Sequence, residues 1–271
     1  EIYVAILQKE DYPENISADL IAKHICSKKL FNIIVSNGRA DIYSRLKGVL
    51  NIDEKKLLRI NEKNQDIAIC SIKNYSVIKE GQLVGNVKVL PYAISKRNIL
   101  KITNDKTIKN IFHIAKKTIN KVGIIFTSNH IKINKEEKIL KAINLRLENF
   151  NLKVNHKKIC KHNHKILALA IKEILKKNID LILIYGETSI SDINDVVPKS
   201  IATIKGKVIS SIMPTDPGNL LLIGSISNTT IIGVPGCAKS LKRNGFDDIL
   251  ERVCHGEKFN KKKIAEIAIG G

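Results

Sequence analysis

The sequence predicts an α/β protein of two domains, with a doubly wound, mostly parallel sheet in the C-terminal half and a mixed, β-rich α+β domain before it. Three observations lead there. From about residue 121 onward, short Ile/Val/Leu runs alternate with stretches whose apolar residues recur at helical spacing, the rhythm of strand and crossover helix. One run, residues 180–185, is almost continuously apolar, as a parallel strand covered on both faces requires. Ahead of residue 96, short strand-like runs are punctuated by Gly, Asn and Pro instead.

In order, residues 1–7 read as a strand and 11–15 as a turn. Residues 17–25 follow as a helix with Ser17 as its cap. Ile33, Ile34 and Val35 form a short β-branched run closed by Ser36-Asn37-Gly38-Arg39. Residues 66–72 alternate like a half-buried strand, and 75–90, with Gly81 and Gly85, supply further strands ending at Pro91. Residues 96–121 are polar with helical character and are expected to form a linker, giving domains of 1–119 and 120–271. In the second, 121–126 is a strand leading to Thr127-Ser128-Asn129-His130. Residues 135–150 place Ile139, Leu140, Ile143 and Leu147 on one helix face. Residues 162–177 repeat the pattern with Ile166, Leu167, Leu169, Ile171, Ile174 and Leu175, and 240–254 form a last helix.

Composition narrows the function classes. A chain of 271 residues, 44% hydrophobic and 27% charged, buries two ordinary cores without staples. No stretch approaches the roughly 20 apolar residues of a membrane helix, and the first residues lack the pattern of a secretory leader. The absent initiator Met suggests a trimmed chain. Cys26, Cys70, Cys160, Cys237 and Cys254 are odd in number and scattered, which indicates neither a disulfide framework nor a zinc site and fits a reducing cytoplasm. His162 and His164 lie two apart at a helix start, so their rings diverge and do not form a metal pair. The net charge of +20 raises nucleic-acid binding as a reading. Lysines spread along the whole chain and only 4% aromatics argue against it. The same surplus attracts a phosphorylated, anionic small molecule.

Three loops at expected strand ends combine Gly, Pro and small polar residues. They hold Gly186-Glu187-Thr188-Ser189 running on to Asp192 and Asp195, then Asp216-Pro217-Gly218-Asn219, then Gly233-Val234-Pro235-Gly236-Cys237-Ala238-Lys239-Ser240. Ligands of doubly wound sheets sit at this end of the strands. Gly brings backbone N–H groups close to a ligand, and a helix starting just after the loop aims its positive dipole at phosphate. Lys239, Lys242 and Arg243 near the start of the last helix would oppose that dipole, a conflict that a bound anion relieves. Ordinary strand-to-helix connections remain the plain alternative for each loop. Asp195 reads either as an Mg²⁺-holding acid or as an N-cap for the helix that follows, and Asp192 as a weaker second acid. Asp216-Pro217-Gly218 is a turn in its own right, with Asp216 and Asn219 available to a ring edge. Cys237 is either a thiolate stabilised at a helix N-terminus or a small filler beside Gly236.

Taken together, residues 121–254 resemble the molybdopterin-binding domain shared by molybdopterin adenylyltransferase and molybdopterin molybdenumtransferase. The match rests on Gly186-Glu187-Thr188, Asp195-Val196-Val197-Pro198, Asp216-Pro217-Gly218-Asn219 and Gly233-Val234-Pro235-Gly236. Residues 213–224 and 236–247, with Asn37-Gly38-Arg39 and 87–92, are similar to the subgroup in which such a domain precedes a cytidylyltransferase-type nucleotidyltransferase. The resemblance implies a pterin phosphate ligand, molybdopterin with or without molybdenum, bound at Gly186, Thr188, Asp192, Asp216, Pro217, Gly218, Asn219, Gly233, Pro235, Gly236, Cys237, Lys239 and Ser240. It implies Mg²⁺ at Asp195, a missing stretch before Glu1, and a nucleotidyltransferase domain after Gly271 in the same polypeptide. A homo-oligomer is compatible with it. The family's loop has Gly at the positions of Glu187 and Ser189, a departure that weakens adenylyl transfer and favours binding without chemistry. Two alternatives are a chain that itself transfers molybdenum or a nucleotide, and a basic nucleic-acid-binding protein.

Overall fold

The computed structural model describes residues 6–129 and 133–268, and the chain separates into two compact units, Glu1–Lys116 and Lys117–Gly271.

The first unit runs β1 (Asp11–Pro13), α1 (Glu14–Ile25), β2 (Phe31–Ser36), β3 (Arg39–Ser44), β4 (Gly48–Ile52), α2 (Glu54–Lys63), β5 (Ile67–Ser71), β6 (Val77–Ile78), β7 (Leu83–Val89), β8 (Ala93–Ser95), α3 (Lys96–Thr103) and β9 (Phe112–Ala115). Its strands form an antiparallel sheet in the order β2-β3-β7-β5, a second in the order β6-β4-β9, and the pair β1-β8. The turn between β2 and β3 needs two left-handed residues, which Asn37 (φ 49°) and Gly38 (φ 66°) supply. Ile21, Ile25, Phe31, Ile42, Val87 and Phe112 lie at the centre of its core.

Three expectations for this half are corrected, and a fourth lies mostly outside the described residues. Residues 11–15 are not a turn, because Pro13, with φ −54°, ends β1 and directs the chain into α1. Ser17 is not a cap: it lies buried within α1, where its hydroxyl donates to the Tyr12 carbonyl. Residues 6 and 7 are irregular, and the rest of the expected first strand lies outside the described residues. The stretch 96–121 is helical at its start and again in a 3-10 turn over Lys106–Ile108. Ile111, Phe112 and Ile114 are buried with His113 turned outward, an alternation that makes β9 and pairs it with β4.

The second unit runs β10 (Val122–Thr127), α4 (Ile133–Glu148), β11 (Val154–Cys160), α5 (His164–Leu175), β12 (Leu181–Tyr185), α6 (Val196–Thr203), β13 (Lys207–Ser210), β14 (Leu222–Ile226), β15 (Thr229–Gly233), α7 (Gly245–Cys254) and α8 (Lys261–Ala265). The sheet order is β11-β10-β12-β15-β14-β13; the first four strands are parallel, and β14 runs against both its neighbours. Alternation along the strands feeds two cores. Val122, Ile124, Phe126, Leu181, Leu183 and Tyr185 pack toward α4, α7 and α8, whereas Ile125, Ile182 and Ile184 pack toward α5 and α6. This is the doubly wound arrangement expected from the sequence.

Local differences have physical reasons. Ile166 and Leu169 were expected on the buried face of α5 but are 39% and 60% exposed. Asn163 caps this helix, accepting from Lys165 N and Ile166 N, and the face turned to the sheet holds Leu167, Ala168, Ala170, Ile171 and Ile174. β11 escaped the sequence reading because its outward positions carry His156, Lys157 and Lys158, the polar pattern of an edge strand. The helix expected over 240–254 begins at Gly245 and not at Ser240, with Asn244 and Asp247 forming a capping box.

Candidate functional site

Strand order decides where a cleft opens. From β10 the chain passes through α4 to β11 on one side, and from β11 it returns through α5 to β12 on the other. Connections therefore leave the C-terminal ends of β10 and β12 in opposite directions, the position at which doubly wound sheets hold ligands. A cavity of about 180 Å³ lies there, lined by Phe126, Thr127, Ser128, Glu136, Ile139, Tyr185, Gly186 and Glu187. Phe126 and Tyr185 meet at 6.1 Å between ring centroids and form its aromatic wall. Burial raises the Tyr185 phenol above its ordinary value, so it stays protonated as a donor.

Hydrogen bonds hold three strand ends together around this cavity. His162, just beyond β11, meets Thr127 Oγ1 through Nδ1 at 2.7 Å and Thr188 Oγ1 through Nε2 at 3.1 Å. Both ring nitrogens are thus engaged, and the imidazole bridges the ends of β10 and β12. Glu187 adds a second latch: its backbone N–H donates to Thr127 Oγ1 at 3.3 Å, and its carboxylate accepts from Asn129 N at 2.8 Å. A carboxylate where the resembling loop has Gly therefore ties two loops together here. His130, which completes the first loop, lies outside the described residues.

Asp195 occupies the N-cap position of α6, yet its side chain makes no capping bond to the helix. Its Oδ2 turns back to accept Ser191 N at 2.7 Å and Asp192 N at 2.9 Å. Those backbone donors, Ser191 first, hold its carboxyl below the usual value. Asp192 in turn accepts from Asn194 N at 2.7 Å. These N–H groups occupy Asp195 Oδ2 and Asp192 Oδ1, and no cluster of three His, Cys, Asp or Glu lies among the described residues.

The other expected residues gather at the β14–β15 end of the same unit. Gly233 ends β15 where space is short: a Cβ there would come within 2.4 Å of Ile190 and 2.9 Å of Leu222. Asp216 precedes a cis bond to Pro217, whose carbonyl accepts from Gly245 N at 2.9 Å, and the Asn219 carbonyl accepts from Met213 N at 2.8 Å. Gly218 packs with the same α7 start. Pro235 leads into a 3-10 turn over Gly236–Lys239, and Arg146 from α4 reaches that turn. The guanidinium donates to Ala238 O at 3.1 Å, to Ser240 O at 2.5 Å and to Asp247 Oδ1 at 2.7 Å.

That geometry moves the helix start away from this loop. Cys237 and Lys239 belong to the 3-10 turn and not to a helix start, and burial raises the Cys237 thiol instead of favouring a thiolate. Arg243 pairs with Asp248 and Glu251, and Asp247 and Asp248 occupy the first turn of α7. Acidic side chains already complement that dipole, so no unmet conflict calls for an anion. Of the residues expected from sequence, Gly186 lines the cavity, and Thr188 reaches it through His162. Phe126, Glu136 and Tyr185 were missed as site residues because their apolar or helical neighbours read as core.

No protein-family model and no curated protein sequence matches this chain. Solved structures align with it at low identity. A molybdenum cofactor biosynthesis protein B is 15% identical, with 58% of this chain and 95% of that chain covered and a TM-score of 0.34. The molybdopterin biosynthesis enzyme MoaB from Thermus thermophilus is 15% identical, covering 56% and 97% at 0.33. The molybdopterin biosynthesis protein MoeA from Pyrococcus horikoshii OT3 is 12% identical, covering 82% and 74% at 0.27. Likeness at this level says nothing about activity.

Proposed function

We propose that the second unit binds molybdopterin, with or without molybdenum, in late molybdenum cofactor biosynthesis, as the binding module of a cytidylyltransferase-type protein. The observation that carries this reading is the aromatic-walled cavity between the ends of β10 and β12, at the sheet's switch point and beside the loop that bears the resembling Gly186-Glu187-Thr188 and Asp195-Val196-Val197-Pro198. The residues there bind and orient. Phe126 and Tyr185, tilted by 51° to one another, give the lining its aromatic character, and the Thr127–His162–Thr188 bridge fixes the two loops before a ligand arrives. Such preorganisation lowers the ordering cost of binding. Asp195 and Glu187 each give one carboxylate oxygen to backbone N–H groups and so order their own loops, and nucleotidyl transfer is not assigned to them. A nucleotidyltransferase domain in the same polypeptide would supply that step.

Calorimetry with purified molybdopterin under anaerobic conditions tests the reading. The parent chain is expected to bind at micromolar affinity, about −8 kcal/mol. His162→Ala, which releases both threonines, is expected to weaken binding at least tenfold, while Lys239→Ala changes it less than threefold. A folded parent that does not bind refutes the proposal.

A further inference from the structure

Glu136 stands in the first turn of α4, is 6% exposed, and lines the cavity. Neither of its carboxyl oxygens has a hydrogen-bond partner among the described residues. Lys157 Nζ stands 3.7 Å from Oε2 and lies over the Phe126 ring at 5.5 Å from its centroid. Buried polar groups are almost always satisfied, and a carboxyl group left without donors is costly. An orphan of this kind in the wall of a cavity marks a place where a ligand provides the missing donors.

The rest of the lining says what those donors belong to. Glu187 is a second acceptor at the same cavity, with one oxygen already given to Asn129 N. Two carboxylates repel phosphate, so this hollow does not take the anionic end of a ligand. Phe126 and Tyr185 give the lining aromatic character, and about 180 Å³ falls below the roughly 300–1,000 Å³ of a complete ligand site, leaving room for one ring system. We propose that the cavity seats a planar nitrogen heterocycle, with Glu136 accepting two adjacent N–H groups of a 2-amino-4-oxopyrimidine edge. This assignment rests on the ligand reading above and adds to it: the ring enters between β10 and β12, and the phosphate stays outside. Glu136 is then a specificity-determining residue, since a carboxylate accepts from both N–H groups at once and rejects an edge that presents an oxygen in place of the amino group.

Pterin and lumazine differ at that edge alone, lumazine carrying an oxo group where pterin carries the 2-amino group. Both fluoresce, so each can be titrated with the full chain. The parent is expected to bind pterin at least tenfold more tightly than lumazine. Glu136→Gln should weaken pterin binding and bring the two ligands within threefold. The parent comparison needs no folded variant. Equal binding of pterin and lumazine by the parent, or a preference that survives Glu136→Gln, overturns the role of Glu136. If molybdopterin still binds while the preference is absent, only this inference fails. If neither molybdopterin nor pterin binds, the ligand reading fails with it.

Discussion

Arg146 is buried at 5% exposure and spends its donors on Asp247 and on the carbonyls of Ala142, Ala238 and Ser240. It joins α4, the 236–239 turn and the cap of α7 through one side chain. Breaking such a pair leaves a carboxylate and carbonyls without donors, so Arg146→Met should destabilise the second unit by about 3 kcal/mol in denaturant unfolding. Nothing in the sequence marked this arginine, because its partners in the turn and in α7 lie 92 to 101 positions away. Glu136 escaped notice for a related reason: a Glu in the first turn of a helix is commonplace, and only the burial of both oxygens makes it informative. Asp195 was legible as a residue of consequence, and its Oδ2 organises its own loop through Ser191 N and Asp192 N.

At the scale of elements, periodicity served well where both faces of a strand are covered and poorly at edges and boundaries. The apolar run in β12 could be read directly, whereas β11, with lysines facing out, could not. The start of α7 was misplaced because Lys242 and Arg243 are good helix formers, while the capping box of Asn244 and Asp247 sets the boundary. Behind that helix, Glu257 ties α7 to α8. It accepts from Arg252 Nε at 2.5 Å and pairs with Lys263 at 3.0 Å. Burial acts to raise its carboxyl, but the Arg252 and Lys263 cations outweigh that and hold it below the ordinary 4.5. A depressed carboxyl contributes stability that is complete above its unfolded value and is lost as pH falls through the folded one. Unfolding midpoints measured from pH 7 to pH 3 should therefore fall below about pH 4.5, and Glu257→Gln should lower the pH 7 midpoint while flattening the acid limb. An acid limb unchanged by that substitution would show that the clamp contributes nothing.

For the molecule as a whole, alternation of strands and helices was enough to read the doubly wound sheet, since that pattern reports which faces are covered. It could not report which loops share a cavity. The sequence motifs drew attention to three loops equally, yet the switch point favours the ends of β10 and β12, and Arg146 ties the loop at the β15 end to α4 and α7. The charge of +20 likewise says that an anion is attracted without saying where it rests. No helix among the described residues is long and apolar enough to cross a bilayer. Hydrogen exchange of the full chain with and without molybdopterin tests the placement most directly. The account predicts slowed exchange over residues 126–129 and 186–195, with residues 235–244 unchanged. Protection confined to 235–244, or absent from the ends of β10 and β12, would contradict it.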